Sequence, residues 1–342
     1  MKKSFKSNED REKEIKELSE SIENGTKDVF KSDKYKKYLN TMAKFHNYSF
    51  RNLLLIFSQN PEATCVAGFT TWKNSFKRTV NKGEKGIKIF APAPVKIKVE
   101  EHKKDNNGNY IYSNGKKVIE QVDKVIPKYK ITHVFDVSQT SGEPIPSLVD
   151  ELKGKVNDYD TFKRSLINVT DFEVVFKGLE SERGYCSIKN KVIAINEGMS
   201  ELQTIKTMIH EVAHSMLHSN TEEKTRSSVE IEAESVAYVV SSYYGLDVSE
   251  YSFNYLASWS KDKELTDLKS SLDIIQKGSS ELIRKIDENY NELISNKDIK
   301  LNDKSFEDNS LKSRIEGMKE KSKELNIQDK DYDRINKKEV ER

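Results

Sequence analysis

The chain has 342 residues, of which 33% are charged and only 35% are hydrophobic. This apolar content is low for two fully packed domains, so part of the chain is expected to lie outside a core. No apolar run exceeds five residues, whereas a membrane span needs about 20, and no apolar stretch follows the basic N-terminus. With two cysteines in unrelated contexts, Cys65 and Cys186, the sequence predicts a soluble cytoplasmic protein without a disulfide framework.

The net charge is only +2, but charge is distributed unevenly along the chain. Residues 44–99 contain ten basic and two acidic side chains, whereas residues 196–250 contain three basic and ten acidic ones. Such asymmetry indicates two modules with different partners. The basic module could meet a polyanion, and the acidic module could hold a cation.

Helices are predicted before residue 61, and β-structure after it. A charged, helix-prone stretch and two helical patterns occupy 1–30, about 33–48 and about 49–60, the last ending at Asn60-Pro61. The alternation of Ile/Val and Lys over 87–99 is typical of a half-buried strand. Turn sequences then indicate a β-hairpin or meander over 96–135, and a loop containing Gly and Pro follows at 140–146.

A second unit is predicted from about Val149. Its expected elements are a helix at 157–168, a strand at 172–177, a hairpin of 185–187 with 191–195, and helices at 200–219 and 226–245. From residue 261 onward, 19 basic and 20 acidic residues accompany a helical pattern that thins out after about 295. The predicted organisation is therefore a first domain at 1–145, a second at 149–262 and a charged, helical to disordered tail at 263–342.

The clearest motif is His210-Glu211-Val212-Ala213-His214, within an apolar stripe at helical spacing. Residues four apart share one face of a helix, so both imidazoles can reach a single metal ion. Glu211 lies about 100° around the helix, beside the ion, where it can hold a water molecule and take its proton. The alternative is a chance match on a core helix. The spacing favours a zinc site with Glu211 as the catalytic base.

A catalytic zinc has three protein ligands and one open position, so a third ligand is required. His218 follows His214 by four residues but lies eight residues from His210, about 12 Å along the helix axis. Three ligands of one small ion cannot be spread over that length. His218 is therefore expected to lie behind the ligands or at the surface. The HExxHxxGxxH spacing of metzincins is also absent.

The next predicted helix offers three acidic candidates, Glu230, Glu232 and Glu234. Glu230 and Glu234 share a face, whereas Glu232 points elsewhere. The pattern resembles gluzincin peptidases, in which the first acid of such a pair binds zinc and the second orients a ligating histidine. That resemblance makes Glu230 the ligand and Glu234 its partner. The alternatives are Glu234 or Glu232 as the ligand, and a merely solvated acidic face.

Motifs in both halves resemble ArdC-type antirestriction proteins. In the first half they are Tyr48-Ser-Phe-Arg-Asn52, Gln59-Asn-Pro61, Val66-Ala-Gly-Phe-Thr-Thr-Trp72, Lys82-Gly-Glu-Lys-Gly86 and Phe135-Asp-Val-Ser-Gln-Thr140. The second half, with HExxH and the glutamate pair, resembles the matching zinc-peptidase domain, related to the ImmA/IrrE group. The resemblance covers about residues 40–262 and is strongest to LtrC-like proteins of Gram-positive conjugative elements.

The resemblance implies a plasmid or mobile-element protein that binds single-stranded DNA and shields it from restriction during conjugation. Single-strand binding requires a cationic groove and aromatic faces for base stacking. The predicted DNA contacts, basic side chains with one aromatic, are Arg51, Trp72, Lys73, Lys77, Arg78, Lys82, Lys85 and Lys88. The alternative is that Trp72 and Phe69 are core residues and the lysines form a solvated face. For Trp72, burial is as strong an expectation as stacking.

The sequence therefore predicts an α+β protein with an N-terminal single-stranded-DNA-binding domain and a gluzincin-like zinc metallopeptidase domain. Two other functions stay open: an ImmA-like peptidase that cleaves a DNA-associated regulator, and a DNA-coating protein with an idle zinc site. A protein substrate or a restriction enzyme would be a further partner. The strand at 191–195 is a candidate edge for an extended peptide. Tyr185, Tyr238 and Tyr243 are candidates for stabilising an oxyanion.

Overall fold

The computed structural model describes residues 8–145, 158–218, 224–251, 253 and 256–300. Helices and strands both contribute, which confirms the α+β class. The helices are α1 (Asn8–Val29), α2 (Ser32–Lys44), α3 (Phe50–Gln59), α4 (Phe69–Asn74), α5 (Tyr159–Ile167), α6 (Glu201–Leu217), α7 (Arg226–Tyr243), α8 (Leu256–Lys261) and α9 (Leu265–Lys300). No helix among these residues is long and apolar enough to cross a membrane.

The strands are short and belong to several small sheets. They are β1 (Val66–Gly68), β2 (Arg78–Val80), β3 (Ile87–Pro92), β4 (Val95–His102), β5 (Tyr112–Ser113), β6 (Lys116–Lys117), β7 (Ile119–Ile126), β8 (Tyr129–Asp136), β9 (Thr140–Gly142), β10 (Glu173–Lys177), β11 (Gly184–Ser187) and β12 (Val192–Asn196). The segment predicted as one strand over 87–99 is divided into β3 and β4. Pro94 lies at the break and has no N–H to contribute to a ladder.

The described residues form two compact units. The helical unit comprises residues 8–87 and 134–300, and the ribbon unit comprises residues 88–133. This division differs from the predicted one, because the helices of the first predicted domain belong to the same unit as the metal motif. The predicted boundary at 145–149 lies mostly outside the described residues.

The core of the helical unit joins both predicted domains. α2 packs on α7, where the hydroxyls of Tyr35 and Ser235 lie 2.7 Å apart. Tyr238 and Ser242 of α7 both donate hydrogen bonds of 3.1 Å to the side-chain oxygen of Asn40. The helix that carries the candidate ligand Glu230 is therefore braced on another side by an N-terminal helix.

α9 also belongs to this core. The helix was predicted as the first part of a charged tail, but it packs against α7 and α5. Apolar side chains at helical spacing make this contact and are buried: Leu268, Leu272, Ile275, Leu282, Ile283 and Ile286. The helical prediction is confirmed up to residue 300. The segment predicted to be disordered lies beyond the described residues.

The HExxH motif lies on α6, which packs against α7 and against a small sheet. Both helices begin at a capping residue. Ser200 caps α6 by accepting a hydrogen bond from the backbone N–H of Gln203, and Thr225 caps α7 by accepting one from Ser228. In the adjacent sheet β12 is the central strand, paired parallel with β10 and antiparallel with β11. The strand at 191–195 was predicted as a candidate edge, but it lies at the centre of the sheet. Both β11 and β12 pack on α6, and β11 lies at the edge of the sheet.

The ribbon unit is dominated by the long antiparallel pair of β4 and β7. Their register runs from Val95 opposite Ile126 to His102 opposite Ile119. β5 and β6 form a second short pair beyond this one. No side chain of β4 or β7 is buried, so the ribbon presents both of its faces.

Candidate metal centre

The side chains of His210, His214 and Glu230 converge between α6 and α7. The Nε2 atoms of the two histidines lie 3.1 Å apart. Oε2 of Glu230 lies 3.5 Å from Nε2 of His214 and 3.8 Å from Nε2 of His210. One ligand atom from each of the three residues therefore lies within 4.8 Å of the others.

This donor set fits a divalent metal ion. Two imidazole nitrogens and one carboxylate oxygen are the ligands of many catalytic zinc sites, and ligands about 2.0–2.2 Å from one ion come within roughly 3–3.5 Å of each other. The observed separations match that spacing without rearrangement of either helix. The three groups are only part-exposed, so solvent reaches the position between them.

Glu230 and Glu234 occupy different positions relative to His210. Oε2 of Glu234 lies 3.1 Å from Nδ1 of His210, on the side of the ring away from His214. A carboxylate there holds the proton on Nδ1 and leaves Nε2 free as a ligand atom. Burial lowers the pKa of His210, but the carboxylates of Glu234, Glu211 and Glu230 outweigh burial and hold the pKa above its ordinary value.

Glu211 is buried beside the two histidines. Burial raises its pKa to about 7, with repulsion from Glu230 and Glu182 adding to the effect and His210 opposing it. A carboxylate with a pKa near neutrality is suited to accept a proton and to return it. β11 approaches this residue closely: a Cβ built on Gly184 would lie 3.3 Å from Cγ of Glu211.

A cleft of about 790 Å³ opens over the histidines and glutamates. Its other walls include Arg183, Tyr185 and Cys186 of the β11 segment, with Lys206 and Tyr251 at α6 and after α7. Burial raises the pKa of the Cys186 thiol to about 12, so the group is protonated at neutral pH. The cleft is large enough for a stretch of peptide along β11.

Lys206 and Tyr251 are among the cleft residues that the sequence analysis did not identify. Lys206 is buried and its ammonium lies 3.4 Å from Oε2 of Glu250 and 5.0 Å from the centre of the Tyr251 ring. It precedes His210 by four residues, so helical spacing alone would have placed it on the same face. Tyr251 follows α7 and carries no comparable signal.

The tyrosines predicted to stabilise an oxyanion have different surroundings. Tyr185 lines the cleft, and its hydroxyl accepts a hydrogen bond of 2.9 Å from Lys177. Tyr238 is turned towards α2, where it donates to Asn40. The ring of Tyr243 packs edge-on against His46, 4.8 Å between centroids. Of the three, Tyr185 alone is in the cleft wall.

His218 and Glu232 form a buried pair apart from the converging ligand atoms. Nε2 of His218 lies 3.2 Å from Oε2 of Glu232, which also pairs with Lys224 at 2.6 Å. The other carboxylate oxygen accepts a hydrogen bond of 3.0 Å from Ser271 of α9. Burial raises the pKa of Glu232, but these partners outweigh it and keep the pKa below its ordinary value. The network ties α7 to α9.

Trp72 is a core residue and not a DNA-stacking surface, a correction to the predicted DNA contacts. Its side chain is 0% exposed, and Nε1 donates a hydrogen bond of 2.8 Å to the backbone oxygen of Phe135. The buried indole links α4 to β8, so neither face of the ring is accessible to a DNA base. Phe69, one turn earlier on α4, is 54% exposed and offers the aromatic surface instead.

The predicted basic contacts divide into two groups. Arg78 is tied to β9, donating to the side chain of Thr140 at 2.7 Å and to its backbone oxygen at 2.8 Å. Lys88 lies in the ribbon unit and is half-buried. The remaining basic side chains are exposed on the helical unit: Arg51, Lys73, Lys77, Lys82 and Lys85.

Comparison with known families agrees with this arrangement. Residues 8–135 match the model of the N-terminal domain of anti-restriction factor ArdC, and residues 167–241 match the IrrE N-terminal-like domain of the M78 peptidases. The second match includes both histidines, Glu211, Glu230 and Glu234.

The individual relatives are each less than 30% identical to this chain over the aligned residues. An uncharacterized protein of Bacillus anthracis, pXO2-81, is 29% identical over 292 residues, which cover 74% of this chain and 48% of that protein. The chain thus spans about half the length of this curated relative. Two crystal structures of the antirestriction ArdC protein from plasmid R388, metal-free and Mn(II)-bound, are each 18% identical with a TM-score of 0.43. The alignments cover 72% and 71% of this chain and 86% and 85% of those chains. The chain therefore contains a region similar to the ArdC N-terminal domain at residues 8–135, followed by a region similar to the IrrE N-terminal-like domain at residues 167–241.

Proposed function

We propose that this protein binds single-stranded DNA and protects it from restriction, and that its IrrE-like domain is a zinc metallopeptidase centre. The observation that carries the catalytic part is the convergence of His210, His214 and Glu230 beside the buried Glu211 in an open cleft. A purely structural site would not require a buried carboxylate next to its ligands. The predicted mobile-element role rests on the ArdC N-terminal match.

The chain's own residues supply distinct parts of a hydrolytic reaction. The two histidines and Glu230 would hold the ion, and Glu234 would keep the proton on Nδ1 of His210. A bound zinc supplies Lewis acidity and an acidified water. Glu211 accepts the proton of the attacking water and donates it to the leaving amine. β11, at the side of its sheet that faces away from β12, aligns an extended peptide through backbone hydrogen bonds.

The DNA-binding part is supported by exposed cationic and aromatic groups. Phe69 and Lys73 lie four residues apart on α4, so both side chains project from one face. Lys82 and Lys85 flank Gly83, whose φ of 94° bends the loop between β2 and β3. A base stacked on the phenylalanine would place its phosphates within reach of such lysines.

One variant separates the two activities. Glu211→Gln removes the proton acceptor but no metal ligand, so peptide cleavage should stop while zinc content, thermal stability and affinity for single-stranded oligonucleotides stay at the wild-type level. Glu201→Gln, an exposed position on the same helix and outside the cleft, is the matched control. Wild-type protein that binds no zinc would overturn the metal assignment.

An antirestriction assay in cells with Glu211→Gln then distinguishes coating from cleavage. We expect protection to survive, because bound protein can obstruct a restriction enzyme without cutting anything. Loss of protection in a variant with wild-type zinc content and DNA affinity would mean that a protein must be cleaved. In that case the peptidase reading, with a regulator or a restriction enzyme as substrate, replaces coating.

A further inference from the structure

The ribbon unit ends in exposed aromatic residues. Tyr112 is 60% exposed and Tyr110 is 42% exposed, and both lie beyond the last pair of β4 and β7. Large aromatic side chains at a surface lose hydration when a planar partner covers them. Two such rings a few residues apart form a site where planar groups can stack.

Four lysines surround these rings. Lys103 and Lys104 follow β4, and Lys116 and Lys117 form β6, directly opposite Ser113 and Tyr112. Nζ of Lys117 lies 3.7 Å from the centre of the Tyr110 ring, and Nζ of Lys104 lies 5.2 Å from it. These cation–π contacts hold two ammonium groups at the aromatic surface.

Acidic residues cancel only part of this charge at the tip, where Lys103 lies 3.8 Å from Oε2 of Glu120. Asp105 is used within its own turn, where Oδ1 accepts hydrogen bonds of 2.9 Å from the backbone of Asn107 and Asn109. Across residues 88–133 as a whole, ten lysines face five acidic residues. The ribbon therefore presents an excess of positive charge.

A two-stranded ribbon with no buried side chain gains little from its own packing. Such hairpins are marginally stable in water unless another surface covers them. Exposed valines and isoleucines along the ribbon, Val95, Ile119, Val125 and Ile126, leave apolar surface for a partner. A partner with a flexible anionic backbone and planar groups fits both the lysines and the tyrosines.

We propose that the ribbon tip, defined as Lys103, Lys104, Tyr110, Tyr112, Lys116 and Lys117, is a contact surface for single-stranded nucleic acid. A base stacks on Tyr112 while the lysines bind the flanking phosphates. Double-stranded DNA hides the faces of its bases, so the exposed ring favours a single strand. This proposal rests on the proposed DNA binding and adds a surface separate from the α4 residues considered above.

The test uses the full chain and a labelled oligothymidylate of about 30 nucleotides, long enough for several base contacts. Tyr112→Ala should weaken binding about tenfold, whereas Tyr112→Phe, which keeps a stacking ring, should bind like wild type. Lys116→Gln should reduce the slope of log affinity against log salt by about 0.7, because one phosphate contact is lost. Lys13→Gln, an exposed lysine on α1 in the helical unit, is the matched control and should leave the slope unchanged.

The outcomes separate this proposal from the proposed function. Wild-type protein that fails to bind the oligonucleotide overturns both. Wild-type binding that Tyr112→Ala and Lys116→Gln leave unchanged overturns the ribbon-tip surface alone and leaves DNA binding to the α4 region. Equal competition by a duplex of the same length contradicts base stacking at the tip. A thermal melt of each variant shows that the fold is retained, and the lysine variant tests the tip even where Tyr112→Ala lowers stability.

Discussion

His210 makes the two glutamates of α7 inequivalent. Its Nε2 faces His214 and Glu230, and its Nδ1 lies 3.1 Å from Glu234. In this orientation Nε2 is available to bind an ion, and Nδ1 faces the carboxylate of Glu234. The sequence alone could not assign these roles, because residues 230 and 234 share one helix face and either could lie over the ion.

We expect the two glutamates to differ in their effect on metal affinity. Glu230→Ala removes a ligand and should abolish stable binding of the ion. Glu234→Ala removes only the carboxylate that orients His210 and should weaken affinity about 10–100-fold. Competition with a chelator of known affinity measures both, and His218→Ala, outside the ligand set, should retain the metal. Stronger loss with Glu234→Ala than with Glu230→Ala would reverse the assignment.

His46 makes the helical unit sensitive to acid. Burial lowers its pKa from 6.5 to about 4, against the opposing charge of Asp287. Below pH 6.5 the unfolded chain binds a proton that the folded protein does not, so stability falls as pH drops from about 6.5 to 4. The loss from this one group is about 3 kcal/mol.

His46→Gln should therefore flatten the pH dependence of stability in this window. The urea midpoint of the metal-free protein, measured at several pH values, reports the change. His133→Gln is the control, because His133 is exposed. An unchanged pH profile in His46→Gln would show that other groups cause the acid sensitivity.

At the scale of single residues, helical spacing correctly predicted which side chains lie together. His210 and His214 converge because a helix places residues four apart on one face, which requires no knowledge of the rest of the fold. Trp72 is different, since its burial depends on β8, more than 60 residues away along the chain. Nothing in the local sequence separates such a tryptophan from an exposed one.

At the scale of elements, the contact between β11 and α6 fixes the position of Glu211. A Cβ on Gly184 would lie 2.8 Å from Cγ2 of Thr207 and 3.0 Å from the backbone oxygen of Ala194. Such distances require the strand or the helix to move. Glycine at this position thus sets how closely the edge strand approaches the metal helix.

Gly184→Ala should destabilise the protein by about 1–3 kcal/mol, the usual cost of overpacking. It should also reduce peptide cleavage more than metal content, because the added Cβ would press on Glu211, which is not a metal ligand. Gly178→Ala is the matched control, since a Cβ there meets nothing within 4 Å. Thermal denaturation of both variants is the measurement. Equal melting temperatures would contradict close packing at this contact.

The type of an element could be predicted where its apolar periodicity extended over several turns. The position of a strand within its sheet could not. α6 and α7 begin and end within about two residues of the predicted helices, because their caps and apolar stripes are local signals. The central position of β12 depends on a parallel partner, β10, that the hairpin pattern does not reveal. α9 was predicted as a helix from the spacing of its apolar residues, but that spacing did not reveal that the apolar face packs on α7.

At the scale of the whole molecule, the helices before the predicted boundary and the metal helices form one unit. α2 contacts α7 through Tyr35 and Asn40, and Gln276 of α9 donates a hydrogen bond of 2.9 Å to the backbone of His46. Burial of such a shared interface stabilises both sides together. A cut near residue 145 would therefore expose apolar surface on each fragment.

We expect a fragment that begins at residue 146 to lose metal binding, although it retains every candidate ligand. Without α1–α3, the face of α7 that carries Ser235, Tyr238 and Ser242 is exposed, and the register of Glu230 against His210 is no longer supported. Metal analysis and circular dichroism of the purified fragment measure the effect. Co-expression with residues 1–145 is the control and should restore both metal content and helicity. A fragment that melts cooperatively and binds metal at the wild-type stoichiometry would show that the IrrE-like domain folds alone, and that the shared core is an interface between two independent domains.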